Sequence, residues 1–493
     1  MTNRKNHFSP TRRSFLATTG LVACSSLFFP HYLFAGRRKS GTSLPYTGPA
    51  SKYKAKLKVA FVRREEDYGM RWPGQVYDGK SAFKKYYDEI IQTGKNLNMD
   101  VQIKPEPIYS LEEGEQWLHE MVNSGPDGLF MVALDRQEHT WPTIGKAIET
   151  GVPTVIFSPL GTSFTTNTGP IAHKKGAYIC STDDFDQALL GMKMIQAGAR
   201  LRKTRFLVIM NKEREDVEIL PFKTKLRYLP ANEYIDTFHH VPVSDKVKEI
   251  ASYYMDNATH IHGTTLDDVQ NGVRSYMAAI ELLEKENADA ITMDCLGVLG
   301  PLEDSLPCLA WSRLNDEGIP AACEADLGAC ITHSVVQYLF DKPGFQQDPV
   351  AETSKQCLIG SHCSCPTRLN GFNTDPEPFS LSCHHGVRDA TAKPEWEIGH
   401  RITVADLIIS NEWILRDNND IKGNPKMYIS AGEVVENKAV PPSGGCVVAP
   451  MVKLDGVTEM LDYPGFHQIF FYGDHKRDLK NFCQLYSIEP VVV

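Results

Sequence analysis

The sequence lacks the marks of a nucleic-acid-binding protein and of a repeat protein. Lysine and arginine form no block beyond the first forty residues of the 493-residue chain, and the formal net charge is −9. Because nucleic-acid binding needs a basic surface, this class is disfavoured. No internal repeat or low-complexity tract occurs. With 42% hydrophobic residues the chain can bury a large core, so we expect two or three domains and a small-molecule site.

The sequence also lacks an uninterrupted apolar run of the length that spans a membrane, about 20 residues. The apolar stretch near the N-terminus is broken by Thr18, Thr19, Gly20, Ser25, Ser26 and Pro30. Arg12 and Arg13 before this stretch indicate a twin-arginine export signal, with cleavage after Ala35. In an alternative, "LVAC" is a lipoprotein box and Cys24 carries a lipid anchor. We therefore expect an exported, periplasmic protein without a membrane span.

Regularly spaced cysteine pairs are missing as well. Twelve cysteines in an exported chain would suggest disulfides, but these form no compact framework. Most lie between Cys295 and Cys383, several inside apolar runs, which favours small buried thiols. "HCSC" (362–365) and "CHH" (383–385) could form a thiolate zinc site, although their spacing is not that of paired C-x-x-C knuckles.

What the sequence does contain is a regular alternation of strand and helix patterns. Buried strands such as "LKVAFV" (57–62), "DGLFMVAL" (127–134) and "VPTVIF" (152–157) alternate with amphipathic helices. This alternation predicts parallel sheets with helices on both faces. After residue 350, proline, glycine and short β-rich runs replace the pattern. The predicted fold class is α/β, with two doubly wound parallel-sheet domains followed by a mostly β C-terminal domain.

The changes in pattern also predict the domain boundaries. Residues 1–35 are assigned to the signal peptide and 36–55 to a polar linker. The N-terminal α/β domain then spans 56–164, the second α/β domain 165–348, and the β-rich C-terminal domain 349–493.

Two carboxylates end neighbouring predicted strands. Asp294 closes "DAITMD" and Glu324 closes "IPAACE", with one predicted helix between them. This connection suits a right-handed crossover, and open α/β sheets bind ligands at the carboxyl ends of their strands. Two close carboxylates need a cation or a shared proton between them. In the alternative, Glu324 caps the helix that begins near Asp326, and Asp294 hydrogen-bonds a turn.

Histidines extend this acidic pair into a candidate metal site. His362 lies in the loop "IGSHCSCP", and His467 begins an apolar strand. Each of them taken singly is more often a structural residue than a ligand. Two acids with one or two histidines form the mixed oxygen and nitrogen set that suits manganese or a similar divalent ion. His384 and His385 in "SCHHG" are competing ligands, and as a pair they would suit a zinc hydrolase.

These motifs resemble the L-fucose isomerase and L-arabinose isomerase superfamily. The resemblance rests on "ADAITMDCLG", "GIPAACEADLGA", "IGSHCSCP" and the late histidine, and in domain order it covers roughly residues 56–493. It implies that Asp294 and Glu324 are metal ligands and the proton-transfer pair, with His362 and His467 as further ligands. The family usually has glutamate first and then aspartate or glutamate, whereas here Asp294 precedes Glu324.

The resemblance implies an aldose–ketose isomerase that uses Mn²⁺ to convert a pentose or 6-deoxyhexose through an enediol. Trp72 in "RWPG" is a candidate sugar-stacking residue, whereas core packing is favoured for Trp311. We expect a sugar as the partner and a homo-oligomeric assembly. The alternative from another class is an exported sugar-binding protein that keeps the isomerase fold but has no turnover.

Overall fold

The structure is a computed structural model that describes residues 48–66, 70–72, 75–136, 138–300, 302, 304–384, 388–410, 413–415, 423–439 and 446–493. The predicted export signal, with Arg12, Arg13, Cys24 and Ala35, lies outside the described residues. Two α/β units are followed by a β-rich region that includes a six-stranded barrel. This architecture confirms the predicted fold class.

The first unit is built around a five-stranded parallel sheet. Its elements are α1 (Pro49–Lys52), β1 (Lys56–Val62), β2 (Met70–Trp72), β3 (Gln75–Tyr77), α2 (Gly79–Asn96), β4 (Asp100–Ile103), α3 (Leu111–Asn123), β5 (Gly128–Ala133), α4 (Thr140–Glu149), β6 (Thr154–Ser158), α5 (Thr165–Thr168) and β7 (Ala177–Ser181). The strand order is β4-β1-β5-β6-β7. Strands β5 and β6 are buried throughout, as expected for a sheet covered on both faces. Because β7 pairs with β6, this sheet extends past the predicted boundary at residue 164.

The second unit contains a mostly parallel sheet. Its elements are α6 (Phe185–Lys203), β8 (Arg205–Met210), β9 (Glu215–Ile219), β10 (Thr224–Pro230), α7 (Ala231–His240), α8 (Asp245–Asn257), β11 (Ile261–His262), α9 (Leu266–Lys285), β12 (Ala290–Met293), α10 (Cys295–Val298), α11 (Cys308–Asp316), β13 (Ala321–Cys323) and α12 (Leu327–Phe340). The strand order is β13-β12-β8-β10-β9, and β9 is antiparallel to β10. Every residue of α12 except Tyr338 is buried, because this helix packs against both the sheet and the barrel.

The C-terminal region forms the barrel and completes two other sheets. Its elements are β14 (Phe345–Glu352), β15 (Cys357–Ser361), β16 (Phe379–His384), β17 (Arg388–Pro394), β18 (Arg401–Ile408), β19 (Ile414–Leu415), β20 (Lys426–Asn437), β21 (Pro450–Leu454), β22 (Gln468–Tyr472), α13 (Lys476–Leu485) and β23 (Glu489–Val492). The order β18-β22-β14-β15-β21-β20 closes through pairing of β18 with β20. Closure leaves the barrel without free edges, although β23 adds to β20 outside it. Strand β16 pairs with both β11 and β17, and β19 extends the second sheet at β9.

The strand register places several chemically active residues at one end of the barrel. Met293 of β12 pairs with Cys323 of β13, so these two strands end side by side. Strand β14 pairs with both β15 and β22, which brings the residues that follow β15 close to those that precede β22. The carboxyl end of β13 and this end of the barrel meet at the candidate site.

Candidate metal centre

Glu324, His362 and His467 place their ligand atoms within 4.8 Å of one another. His467 Nε2 lies 3.4 Å from Glu324 Oε2, and His362 Nε2 lies 3.8 Å from Glu324 Oε1. Both imidazoles are buried, whereas the Glu324 side chain is 33% exposed. The structure thus brings together three of the four residues that the sequence analysis assigned as metal ligands.

Asp294, the fourth of these residues, does not belong to the group. Its Oδ1 accepts a hydrogen bond of 3.1 Å from the backbone N–H of Gly297 and caps α10. A Cβ atom added at Gly297 would overlap the Asp294 carboxylate, which is therefore folded against its own turn. The carboxylate has the turn-bonding role that the sequence analysis gave as the alternative.

The carboxylate that joins Glu324 comes from Asp348, which the sequence analysis missed. Asp348 Oδ1 lies 3.1 Å from His467 Nε2. Asp348 pairs with Ser361 across β14 and β15, so it stands beside the residue that precedes His362. The available signal was a run of three polar residues, 346–348, on a barrel strand, since polar groups buried in a strand need partners.

Three buried atoms of the group have no hydrogen-bond partner among the described residues. They are His362 Nε2, His467 Nε2 and Asp348 Oδ1; the last two lie 3.1 Å apart as an ion pair, but without the geometry of a hydrogen bond. Buried polar atoms are nearly always satisfied, because leaving one without a partner is costly. A divalent cation bound by these nitrogens and carboxylate oxygens would satisfy all three atoms. The donor set therefore fits Mn²⁺ or a similar ion.

Asp326 orients one of the two imidazoles. Its Oδ2 lies 2.9 Å from His467 Nδ1, while its Oδ1 accepts a 2.9 Å hydrogen bond from the backbone N–H of Ala329. With Nδ1 held by Asp326, Nε2 of His467 is directed at Glu324 and Asp348. A carboxylate behind a ligating histidine is the usual support for such a ligand. Asp326, and not Glu324, is the residue that caps α12.

The electrostatics of the group are dominated by negative charge. Burial lowers the pKa of His467, but Asp326, Asp348 and Glu324 outweigh burial and raise this pKa to about 11. The imidazolium of His467, 3.4 Å away, in turn lowers the pKa of Glu324. Burial, helped by the charge of Asp326, raises the pKa of Asp406 to about 8. Since three carboxylates, Asp326, Asp348 and Glu324, act on one imidazolium, the site favours an additional cation.

The backbone at the site is strained in the left-handed region. Glu324, Ala325 and His467 have φ values of 61°, 52° and 49°. This region costs about 1–2 kcal/mol for a residue with a Cβ atom. Such strain persists only where the surrounding structure holds it, and it clusters at functional sites. Two of the strained residues belong to the group: Glu324 follows sheet strand β13, and His467 precedes barrel strand β22.

The other residues singled out from the sequence lie elsewhere. Trp72 is on β2, and its side chain lies outside the described part of the structure. Trp311 is fully buried and donates from Nε1 to the carbonyl of Ala322 at 2.8 Å, which is a core position. His384 lies beside Cys308 rather than in the Glu324 group, and His385 lies outside the described residues.

Comparisons with known proteins find only distant structural likeness. No family model and no curated protein matches the chain. A carbohydrate transporter from Acidothermus cellulolyticus, solved with myo-inositol, matches with 11% identity over 58% of this chain and 88% of its own, at a TM-score of 0.18. A periplasmic sugar-binding protein from Legionella pneumophila matches with 11% identity over 58% of this chain and 96% of its own, at a TM-score of 0.19. At these TM-scores the likeness carries no argument about fold or function.

Within the described part of the chain, no helix combines the length and the apolarity that a membrane crossing requires.

Proposed function

We propose that the protein is a metal-dependent aldose–ketose isomerase that acts on a pentose or a 6-deoxyhexose. The observation that carries this proposal is the group of Glu324, Asp348, His362 and His467, with its three unsatisfied buried atoms. The resemblance to the L-fucose and L-arabinose isomerases supports it further. Glu324 precedes Asp348 in the chain, which is the order of acids usual in that superfamily.

Aldose–ketose isomerisation requires groups that accept and donate protons, and the carboxylates of Glu324 and Asp348 can do both. Isomerisation moves a proton from the carbon next to the carbonyl to the carbonyl carbon, and a second hydrogen moves between the two oxygens. The divalent ion, when bound, polarises the carbonyl and stabilises the enediol. Glu324 and Asp348 are about one third exposed, at 33% and 32%, whereas both imidazoles are buried. The carboxylates are therefore the members of the group that a sugar can reach to exchange protons.

A conversion assay tests this proposal. Purified protein is supplied with Mn²⁺, Co²⁺ or Mg²⁺ and incubated with a panel of pentoses and 6-deoxyhexoses. We expect conversion of at least one aldose into its ketose, loss of this activity with a chelator, and recovery when the metal is returned. Sugar binding without turnover under all these conditions would instead support the alternative of an exported sugar-binding protein.

We also propose that the twin-arginine pair exports the protein to the periplasm, with a lipid anchor at Cys24 as the alternative. Arg12 and Arg13 before the interrupted apolar stretch support this proposal. The homo-oligomeric assembly stays a prediction, which the mass of the purified protein in solution would test.

A further inference from the structure

A second group of metal-ligating side chains lies next to the candidate metal centre. The ligand atoms of Cys308, Cys363 and His384 lie within 4.8 Å of one another, and all three residues are buried. Cys308 begins α11, Cys363 follows β15, and His384 ends β16. Cys363 belongs to "HCSC" and His384 to "CHH", the two motifs that the sequence offered for a thiolate zinc site, whereas Cys308 joins them from a distant part of the chain.

The spacing within the group is that of ligands on a common ion. Cys308 Sγ lies 3.6 Å from His384 Nδ1. In a tetrahedral zinc site with Zn–S of about 2.3 Å and Zn–N of about 2.0–2.1 Å, the sulfur and nitrogen atoms are about 3.6 Å apart. The two side chains can therefore bind one zinc ion without moving relative to each other.

Cys446 lies near Cys363 and offers a thiol for the fourth position, although it is not among the three residues whose ligand atoms all lie within 4.8 Å of one another. The thiols of Cys308 and Cys446 lie close enough to Cys363 to raise the pKa of its thiol. An antiparallel bridge between His362 and Val448 carries Cys446 alongside the loop that contains Cys363. Three cysteines and one histidine are a common ligand set for structural zinc.

We propose that Cys308, Cys363, His384 and Cys446 bind a structural zinc ion. Thiolate ligands select zinc, whereas the carboxylate-rich group of Glu324 suits a harder ion, so the two sites take different metals. Cys363 directly follows His362, and zinc at this site therefore fixes the loop that presents His362 to the candidate metal centre. Zinc binding by these four residues is independent of the proposed isomerase activity.

A disulfide is the competing fate of these thiols, since the proposed periplasmic location is oxidising. The described cysteines, these three included, are free in the structure. A disulfide would join only two of the three sulfurs. A zinc ion uses the nitrogen and all three sulfurs.

Metal analysis of the full-length protein tests the proposal. Zinc content is measured by mass spectrometry on wild type, Cys363→Ser, Glu324→Gln and Cys180→Ser, which changes a buried cysteine of β7 and serves as the control. We expect about one zinc per chain in wild type, Glu324→Gln and Cys180→Ser, and at least a tenfold loss in Cys363→Ser. Retention of zinc by Glu324→Gln separates this site from the proposed catalytic one.

X-ray absorption at the zinc edge of the wild type avoids any dependence on the folding of variants. We expect zinc–sulfur scattering at about 2.3 Å. The proposal is overturned if zinc-supplied protein shows no zinc–sulfur scattering, if Cys363→Ser keeps its zinc, or if unreduced peptides show a disulfide among Cys308, Cys363 and Cys446.

Discussion

Glu324 and Asp326 share one turn and have different tasks. The left-handed backbone of Glu324 accompanies a side chain that faces His362 and His467. Asp326, two residues later, caps α12 and holds His467 through Nδ1. The strand-end position made Glu324 visible in the sequence. Which of the two carboxylates faces the histidines and which caps the helix depends on backbone angles that local periodicity does not encode.

Replacing Asp348 and Asp294 in turn tests which of these two carboxylates binds the metal. Asp348→Asn removes a charge 3.1 Å from His467, so we expect a ten- to hundredfold or greater loss of Mn²⁺ affinity and of the proposed isomerase activity. Asp294→Asn keeps a good helix cap, so metal affinity and stability should stay close to wild type. Calorimetric titration with Mn²⁺ measures both variants. A loss of Mn²⁺ affinity in Asp294→Asn but not in Asp348→Asn would show that Asp294 is the metal ligand.

The buried position of helix α12 costs stability, because the helix contains a histidine. It is buried between sheet and barrel, and neither ring nitrogen of its His333 has a hydrogen-bond partner among the described residues. Burial, helped by the charge of His362, lowers the pKa of His333 from 6.5 to about 3. The folded chain therefore holds this imidazole neutral at pH values where the unfolded chain protonates it.

This difference predicts a loss of stability in acid. Between pH 6.5 and about 3 the unfolded state binds a proton that the folded state does not, so the free energy of unfolding falls as pH decreases. The contribution of His333 is at most about 1.4 kcal/mol per pH unit, and it is absent above pH 6.5. Denaturant unfolding across this pH range should give a shallower slope for His333→Leu than for wild type. The exposed His119→Gln serves as the control, and parallel curves for His333→Leu and wild type would refute the assignment.

Strand and helix patterns were predictable because each depends on nearby residues. The apolar runs of β1, β5 and β6 predicted the first sheet, and the end of β13 predicted Glu324. The polar run 346–348 could mark Asp348 as a buried polar residue, but not its place beside His467, because that depends on pairing between β14, β15 and β22 across more than a hundred residues. Asp294 accepts a hydrogen bond from the first turn of α10, and the position of Asp294 at a strand end could not show this contact.

At the scale of the whole molecule, the candidate metal centre joins two parts of the chain. Glu324 belongs to the second α/β unit, whereas Asp348, His362 and His467 belong to the barrel region. The four side chains meet only when the barrel is closed and packed against α12. A metal ion at this site therefore binds the folded chain alone, and it should stabilise that state.

Export is a property of the whole chain that its N-terminal segment determines. We expect the Arg12→Lys, Arg13→Lys double variant to accumulate as uncleaved precursor in the cytoplasm, because the twin-arginine pair is the proposed address. Cell fractionation with an antibody measures this distribution. The matched control is the Arg37→Lys, Arg38→Lys double variant, which changes a second arginine pair beyond the apolar stretch and should be exported normally. Efficient export of the Arg12, Arg13 variant would show that the signal is of another kind.

The most direct test of the proposed metal centre measures Mn²⁺ affinity and metal-induced stabilisation together. Metal-free wild type should gain about 2.7 kcal/mol at a Mn²⁺ concentration one hundred times the dissociation constant. Glu324→Gln keeps the shape of the side chain but removes its charge, so the affinity should fall at least ten- to a hundredfold. At the same Mn²⁺ concentration the gain should then fall to about 1.4 kcal/mol for a tenfold loss and to about 0.4 kcal/mol for a hundredfold loss. Glu433→Gln, an exposed change on β20, should behave as wild type. Full metal-induced stabilisation in Glu324→Gln would contradict the site.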